Sequence, residues 1–406
     1  MAEGTANPDA DEAYVVDDQG NVIDGVVVAD LEGQQGEDDQ MQEDGNEQQG
    51  GDGELNPEQA RDDSIHAFEG HKGSVFGVAW SRNGDGVCSG GEDDLAASWK
   101  VITDANHAED LETRWLRGHS DSVVEVEFNA GGDLLATAGM DGLVKIWVYS
   151  EGSMLQSLDG PAEAMEWIDW HPKGDVILGG SADFTMWMWN ARNGACMQVF
   201  TGHSAAVSCG GFTPDGRLVV SCGSEGDPSM KIWDPKNGNC TATIEGHGYH
   251  EDGITCIDFS ADGTLALTGS MDGTARLAHL QSGKARGTLI GHTESVECVC
   301  FSEGSLPLIV TGSLDGKAKV WDQSTLTQRR SLTHPQGVTA MKTLPQSNMF
   351  ITGCLDGVVR AWDMRMDNCV REYHGFQDGV LSLALSPNAK YVLAGSDDHS
   401  VRVFEL

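Results

Sequence analysis

His71, Ser89, Asp93 and Trp99 form a set that recurs along the chain. It returns as His119, Thr137, Asp141 and Trp147, as His292, Thr311, Asp315 and Trp321, and as His334, Thr352, Asp356 and Trp362. A His, a hydroxyl and a carboxylate are the components of nucleophilic catalysis. A catalytic site occurs once, whereas this trio occurs repeatedly, so its role is read as structural. A buried His and Asp each need a partner, and the indole N–H is a further donor. The 13 His show no HxH or HExxH spacing, so no metal site is indicated. No GxxxxGK[ST] phosphate loop is present. The chain is not read as an enzyme, and no catalytic residue, metal or cofactor is expected.

The elements that carry these residues repeat too. Gly-His pairs stand at Gly70-His71, Gly118-His119, Gly202-His203, Gly246-His247 and Gly291-His292. Asp-Gly turns stand at Asp141-Gly142, Asp272-Gly273, Asp315-Gly316 and Asp356-Gly357. Asp93, Asp183, Asp227 and Asp398 fit the same place with altered turns. Six residues beyond each Asp is the position usually filled by Trp: Trp99, Trp147, Trp189, Trp233, Ala278, Trp321, Trp362 and Phe404. A period of about 40–45 residues with Gly-His and Trp-Asp marks is the WD-repeat signature. Short alternating runs between Gly and Asp turns predict four strands per unit, without helical periodicity. The fold class expected is all-β, an eight-bladed WD40 β-propeller over 64–406. The strand 64–68 should complete the last blade and close the ring, which removes exposed sheet edges. A seven-bladed ring with a spare unit is the alternative.

WD geometry links His, Ser or Thr, Asp and Trp as a hydrogen-bond relay. The four sets above are complete, and their blades are expected to be the rigid ones. The other units read as degraded. Unit three has no His, and Gly179 replaces the hydroxyl. Unit four has Cys222 there, with an extra residue before Asp227. Unit five has Ala278 for Trp, and unit eight has Ala394 and Phe404.

The 406 residues carry a net charge of −39. Residues 1–63 hold 20 acids and one base, Arg61, and residues 64–406 hold 44 acids and 24 bases. The first segment has one aromatic, Tyr14, and too little apolar surface to offset the entropy of folding. It is expected to be a disordered acidic tail. Its islands Tyr14-Val15-Val16 and Val26-Val27-Val28 read as chance valines ahead of docking sites. This charge disfavours direct nucleic-acid binding. No apolar run reaches 18 residues and no signal peptide is seen, so a cytoplasmic monomer is expected, with the nucleus a second compartment. The ten scattered Cys read as buried free thiols.

Propellers bind through loops at their faces. WD geometry places top-face residues on either side of the first apolar residue of each inner strand, and just before the turn Asp. The latter set is Glu92, Met140, Ala182, Gly226, Met271, Leu314, Leu355 and Asp397, with Glu225 adjacent. Phe76, Glu166, Glu297 and Leu381 belong to the inner-strand positions, and Asp94 to a nearby loop. No Lys or Arg falls among the positions assigned to this face. The candidate contacts are Glu92, Asp94, Glu166, Glu225, Glu297 and Asp397, with Phe76, Met140 and Leu381 apolar between them. Such a face would steer a basic ligand. Asp85, Asp133, Asp175, Asp215 and Asp262, at the opposite face, read as turn formers.

Several stretches go beyond general WD features. They are Gly90-Gly91-Glu92-Asp93-Asp94, Met165-Glu166-Trp167-Ile168-Asp169-Trp170-His171-Pro172 and Trp187-Met188-Trp189-Asn190, with Gly118-His119-Ser120-Asp121-Ser122-Val123. With the acidic tail, they resemble the angio-associated migratory cell protein family across essentially all of 64–406. That family includes a fungal ribosome-assembly factor, an eight-bladed chaperone. It captures the basic N-terminal segment of a newly made large-subunit ribosomal protein of the universal L16 type. The resemblance implies the same role here, with a basic ribosomal-protein segment as partner. Animal relatives imply the alternative, an adaptor in signalling, cell migration or ubiquitin-ligase recruitment.

Overall fold

The computed structural model describes residues 61–84, 86–101, 113–246 and 248–406. The expected tail, residues 1–63, lies outside the described residues except for its last three. Among the described residues the strands form eight four-stranded antiparallel sheets. Blade 2 is typical, with strands Val123–Phe128, Leu134–Gly139, Val144–Val148 and Ser153–Leu158 in sequence order. The inner strand of blade 1 is Val75–Trp80. Those of blades 3 to 8 are Met165–Trp170, Val207–Phe212, Ile254–Phe259, Val296–Phe301, Val338–Thr343 and Val380–Leu385. Each inner strand touches the inner strands on both sides, and the eighth touches the first. The ring is eight-bladed.

The core follows from this arrangement. Each sheet has two faces to bury, and each face meets a neighbouring sheet. The buried side chains accordingly gather in clusters at blade boundaries. One joins Leu134, Ile146 and Leu158 of blade 2 to Met165, Ile177 and Trp189 of blade 3. Another joins Val310 and Val320 of blade 6 to Phe350 and Trp362 of blade 7. The second strands are buried along their whole length, as in Leu134–Gly139 and Leu308–Ser313, or all but their first residue, as in Val176–Ser181. That explains their small and β-branched composition.

Closure uses the strand His66–Phe68, which pairs with Val401–Glu405 in the register His66 to Val403 and Phe68 to Val401. Phe68 stacks on Trp99 with ring centroids 4.4 Å apart, tying blade 8 to blade 1. Contacts with the ring extend before Ser64. The Asp63 N–H donates to the His374 carbonyl at 2.8 Å, and its carboxylate accepts the His374 N–H at 3.0 Å. Asp62 pairs with Arg402. Residues 62 and 63, expected in the tail, are therefore held on the ring by hydrogen bonds and charge.

In every blade but the fourth, where Pro228 follows Asp227, the turn beyond the second strand has a left-handed residue after its Asp. Gly142, Gly273, Gly316 and Gly357 supply it, with φ between 70° and 76°. Blades 1, 3 and 8 place Asp94, Phe184 and His399 there, at φ of 63°, 72° and 70°. A bulky side chain disfavours that conformation.

Candidate functional site

The polar sets lie at one end of the blades, where the turn Asp approaches the His that precedes the inner strand. In blade 2 the relay is complete. The Trp147 indole donates to Thr137 Oγ1 at 3.0 Å, and Thr137 Oγ1 lies 2.8 Å from His119 Nε2. His119 Nδ1 is 2.9 Å from Asp141. With Nδ1 protonated, the donors run in one direction from indole to carboxylate. Blade 6 repeats this, with 2.9 Å from Trp321 to Thr311, 2.7 Å from Thr311 to His292 and 2.9 Å from His292 to Asp315. Burial lowers the pKa of His119 and His292 below the ordinary histidine value against the pull of their carboxylates. Burial pushes Asp141 up, but hydrogen bonds from His119 and the Ser120 N–H outweigh it and hold the acid low.

Two sets expected to be complete are not. In blade 1, His71 meets Asp93 at 2.9 Å and Ser89 at 2.7 Å, but the Trp99 indole N–H is buried under Phe68 without an acceptor. In blade 7, Trp362 and His334 both reach Thr352, at 3.0 and 2.9 Å. Asp356 is instead bound by Arg360, at 3.1 and 2.7 Å, which leaves His334 Nδ1 buried without a partner. Burial, with the Arg360 charge second, pushes the His334 pKa down to about 4.

Two units read as degraded carry working relays. In blade 4 the hydroxyl is Ser221, one residue before Cys222. It sits 2.7 Å from His203 and accepts the Trp233 indole at 2.8 Å, and His203 meets Asp227 at 2.7 Å. The turn is longer, so Ser221 precedes the Asp by six residues rather than four. In blade 5 the histidine is His250, bound to Asp272 at 3.0 Å and Thr268 at 2.9 Å. His247, in the Gly-His pair, lies outside the described residues. Ala278 leaves room for Tyr249, whose hydroxyl is 3.2 Å from Thr268 Oγ1 and which packs in the same cluster. Tyr249 thus replaces the missing indole in both volume and hydrogen bonding. Blades 3 and 8 lack the relay as expected, and the Trp189 indole donates to the Asp159 carbonyl at 3.2 Å instead.

The turns that carry the Asp also build the rim of this face. One hydrogen bond recurs in every blade, from the N–H before the turn Asp to a carbonyl before the inner strand. Its donors are Glu92, Met140, Ala182, Ser224, Met271, Leu314, Leu355 and Asp397. Ser224 takes the place assigned to Gly226, because the longer turn of blade 4 displaces Glu225 and Gly226 outward. Glu92, Met140, Glu225 and Asp397 are exposed, and Asp94 is half-buried beside Glu92. Glu92 and Asp397 come from opposite ends of the chain and are brought together. Glu92 accepts the Ser74 N–H at 3.2 Å, and the Ser74 hydroxyl donates to Asp397.

Inside the rim is a central channel of about 900 Å³. Phe76, Glu166, Glu297 and Leu381 line it. Burial raises the Glu166 pKa above the usual carboxylate range. The inner strands also carry acids to which the sequence assigned no role, of which Glu125 and Asp258 line the channel. Glu125 accepts the Ile168 N–H at 2.7 Å, Glu127 that of Trp170 at 3.1 Å, Asp169 that of Phe212 at 2.6 Å and Asp258 that of Phe301 at 2.7 Å. Each carboxylate joins its inner strand to the next blade. Burial raises Glu125 and Asp169 to about 7 and lifts Glu127 well above its ordinary value. Lys342 lines the same channel, so bases are absent from the rim positions but not from the interior. The readable signal was an acid one residue before the final aromatic of an inner strand: Glu127-Phe128, Asp169-Trp170 and Asp258-Phe259.

Elsewhere, Asp215 and Asp262 bond within their turns, as turn formers should. Asp133 and Asp175 both hold Arg192, and Asp85 lies outside the described residues. The ten Cys are free thiols, but Cys196 and Cys240 are exposed rather than buried. Among the described residues no His, Cys, Asp and Glu group could hold a metal ion, and no helix is long and apolar enough to cross a membrane.

The WD domain, G-beta repeat model matches residues 62–100 and 111–148, and the IFT122 first beta-propeller model matches 144–405. Angio-associated migratory cell protein of Canis lupus familiaris is 33% identical over 365 residues, 84% of this chain and 80% of its own length. The Homo sapiens protein is 32% identical with the same coverage. Among solved structures, Saccharomyces cerevisiae Sqt1 superposes with a TM-score of 0.76 at 21% identity, over 85% of this chain and 99% of Sqt1. Chaetomium thermophilum Sqt1 bound to the N-terminus of the ribosomal protein L10 gives 0.76 at 23% identity, over 85% and 100%. At these identities the structural likeness is one of fold.

Proposed function

The chain belongs to the WD-repeat angio-associated migratory cell protein family, and from that premise we propose that it is a noncatalytic protein-binding propeller. Its ligand is the basic N-terminal segment of a newly made large-subunit ribosomal protein of the universal L16 type. It holds that segment as a dedicated chaperone until ribosome assembly. The observation that carries this reading is the rim and channel mouth. Glu92, Glu225 and Asp397 are exposed on the rim and Glu166 and Glu297 line the channel, and no Lys or Arg occupies an equivalent position. An unfolded basic segment would find complementary charge along its path, which neutralises it against aggregation and stray RNA contacts. The Chaetomium complex, in which a propeller of this fold is bound to a ribosomal-protein N-terminus, supports the ligand class.

The test is charge reversal at Glu92, Glu166 and Glu297 to Lys, with binding to a basic N-terminal peptide of an L16-type protein measured by anisotropy. The variant should lose binding by more than about tenfold while keeping its β-sheet spectrum, and wild-type affinity should fall steeply from 50 to 300 mM salt. Salt-independent affinity would overturn this reading in favour of an adaptor that uses apolar contacts.

A further inference from the structure

The rim is not uniform. Of its eight equivalent positions, blades 8 and 1 carry the acids Asp397 and Glu92, bridged by Ser74. Blade 2 carries a single apolar residue, Met140, 46% exposed, whereas three consecutive blades, 5 to 7, carry Met271, Leu314 and Leu355, which are 50%, 38% and 38% exposed. Nothing about strand formation requires this. The turn needs only the backbone N–H at these positions, and blades 3 and 4 meet that need with Ala182 and Ser224.

The neighbouring glycines show how the apolar side chains lie. A Cβ on Gly337 would sit 3.0 Å from Leu314 Cδ2, and a Cβ on Gly379 would sit 3.0 Å from Leu355 Cδ2. Each leucine therefore leans over the start of the next blade. Together they make a stripe across the rim that ends beside the acids of blade 8. Glu297 stands in the channel mouth below this stripe.

We infer that the ligand is amphipathic rather than simply polybasic. Its basic residues meet Glu92, Asp397 and Glu297, and apolar or aromatic residues interleaved with them cover Met271, Leu314 and Leu355. This rests on the basic-ligand reading and narrows it. A charged surface alone would accept any polycation, whereas the stripe rewards only chains that bury apolar side chains on it.

The test uses the full chain and two synthetic peptides of equal length and equal Arg content. One has Leu and Tyr between the arginines, and the other has Ser and Gly. The first should bind at least about tenfold more tightly at 150 mM salt. The variant M271S/L314S/L355S should bind both peptides alike, at the level of the Ser/Gly peptide, with its melting temperature and salt dependence unchanged. Equal wild-type affinity for both peptides, or a triple variant that still prefers the first, overturns this inference and leaves the basic-ligand reading standing. Failure of both peptides to bind wild type at 50 mM salt overturns both.

Discussion

A single hydroxyl sets the strength of each relay, because it serves the imidazole and the indole at once. Thr137→Val keeps the shape and strands two buried donors or acceptors, so it should cost about 2–4 kcal/mol by urea denaturation. A loss below about 1 kcal/mol would mean that the relay is geometric decoration. Blade 5 permits a cleaner comparison. Tyr249→Phe removes one hydrogen bond and should cost about 1 kcal/mol. Tyr249→Ala also empties the space that Ala278 leaves and should cost about 3–5 kcal/mol. Such particulars explain which parts of the site were legible. The complete sets of blades 2 and 6 were readable because the Ser or Thr stands four residues before its Asp. Ser221 was hidden by a lengthened turn, and Tyr249 by its distance from the vacancy at Ala278. Arg360 was invisible as a competitor, since only the fold sets it against Asp356 instead of leaving that acid to His334.

At the scale of the element, the inner strands carry a feature that polar patterning disguises. Glu125, Glu127, Asp169 and Asp258 each join one blade to the next through a backbone N–H. The raised pKa values of Glu125 and Asp169, about 7 in the fold, exceed those of the unfolded chain. Their contribution to stability is therefore full below about pH 4 and is lost as pH rises through 7. The relay histidines act in the opposite sense. Their lowered values favour the fold above about pH 6.5, and that benefit is lost as pH falls. Glu125→Gln keeps the acceptor for Ile168 and removes the charge. It should stabilise the ring at pH 8 by about 1–3 kcal/mol and change little at pH 4. An equal effect at both pH values would show that the carboxylate is not the cause.

At the scale of the whole molecule, stability depends on joining the two ends of the ring. Phe68 on Trp99, His66–Phe68 on Val401–Glu405, and Asp62 with Arg402 all act at one seam. Removing residues 1–60 should leave the melting temperature within about 2 °C. Removing 1–69 should lower it by more than about 10 °C, because blade 8 then loses its outer strand and exposes a sheet edge. Equal melting temperatures for the two truncations would refute closure as the source of stability.

By itself the sequence determined the repeat, the four-strand unit and the absence of bases at the rim, while the closed ring decided for eight blades over seven. Periodicity and turn chemistry are local, and a residue's type is enough to read them. Only the tertiary structure decided which hydroxyl and which ring complete each relay, and that Arg360 takes Asp356 from His334. It alone placed Glu92 beside Asp397 across the seam and set inner-strand acids against the next blade's backbone. Apart from the Asp356–Arg360 pair, four residues apart, those are contacts between residues far apart in the chain, and their geometry exists only in the folded ring.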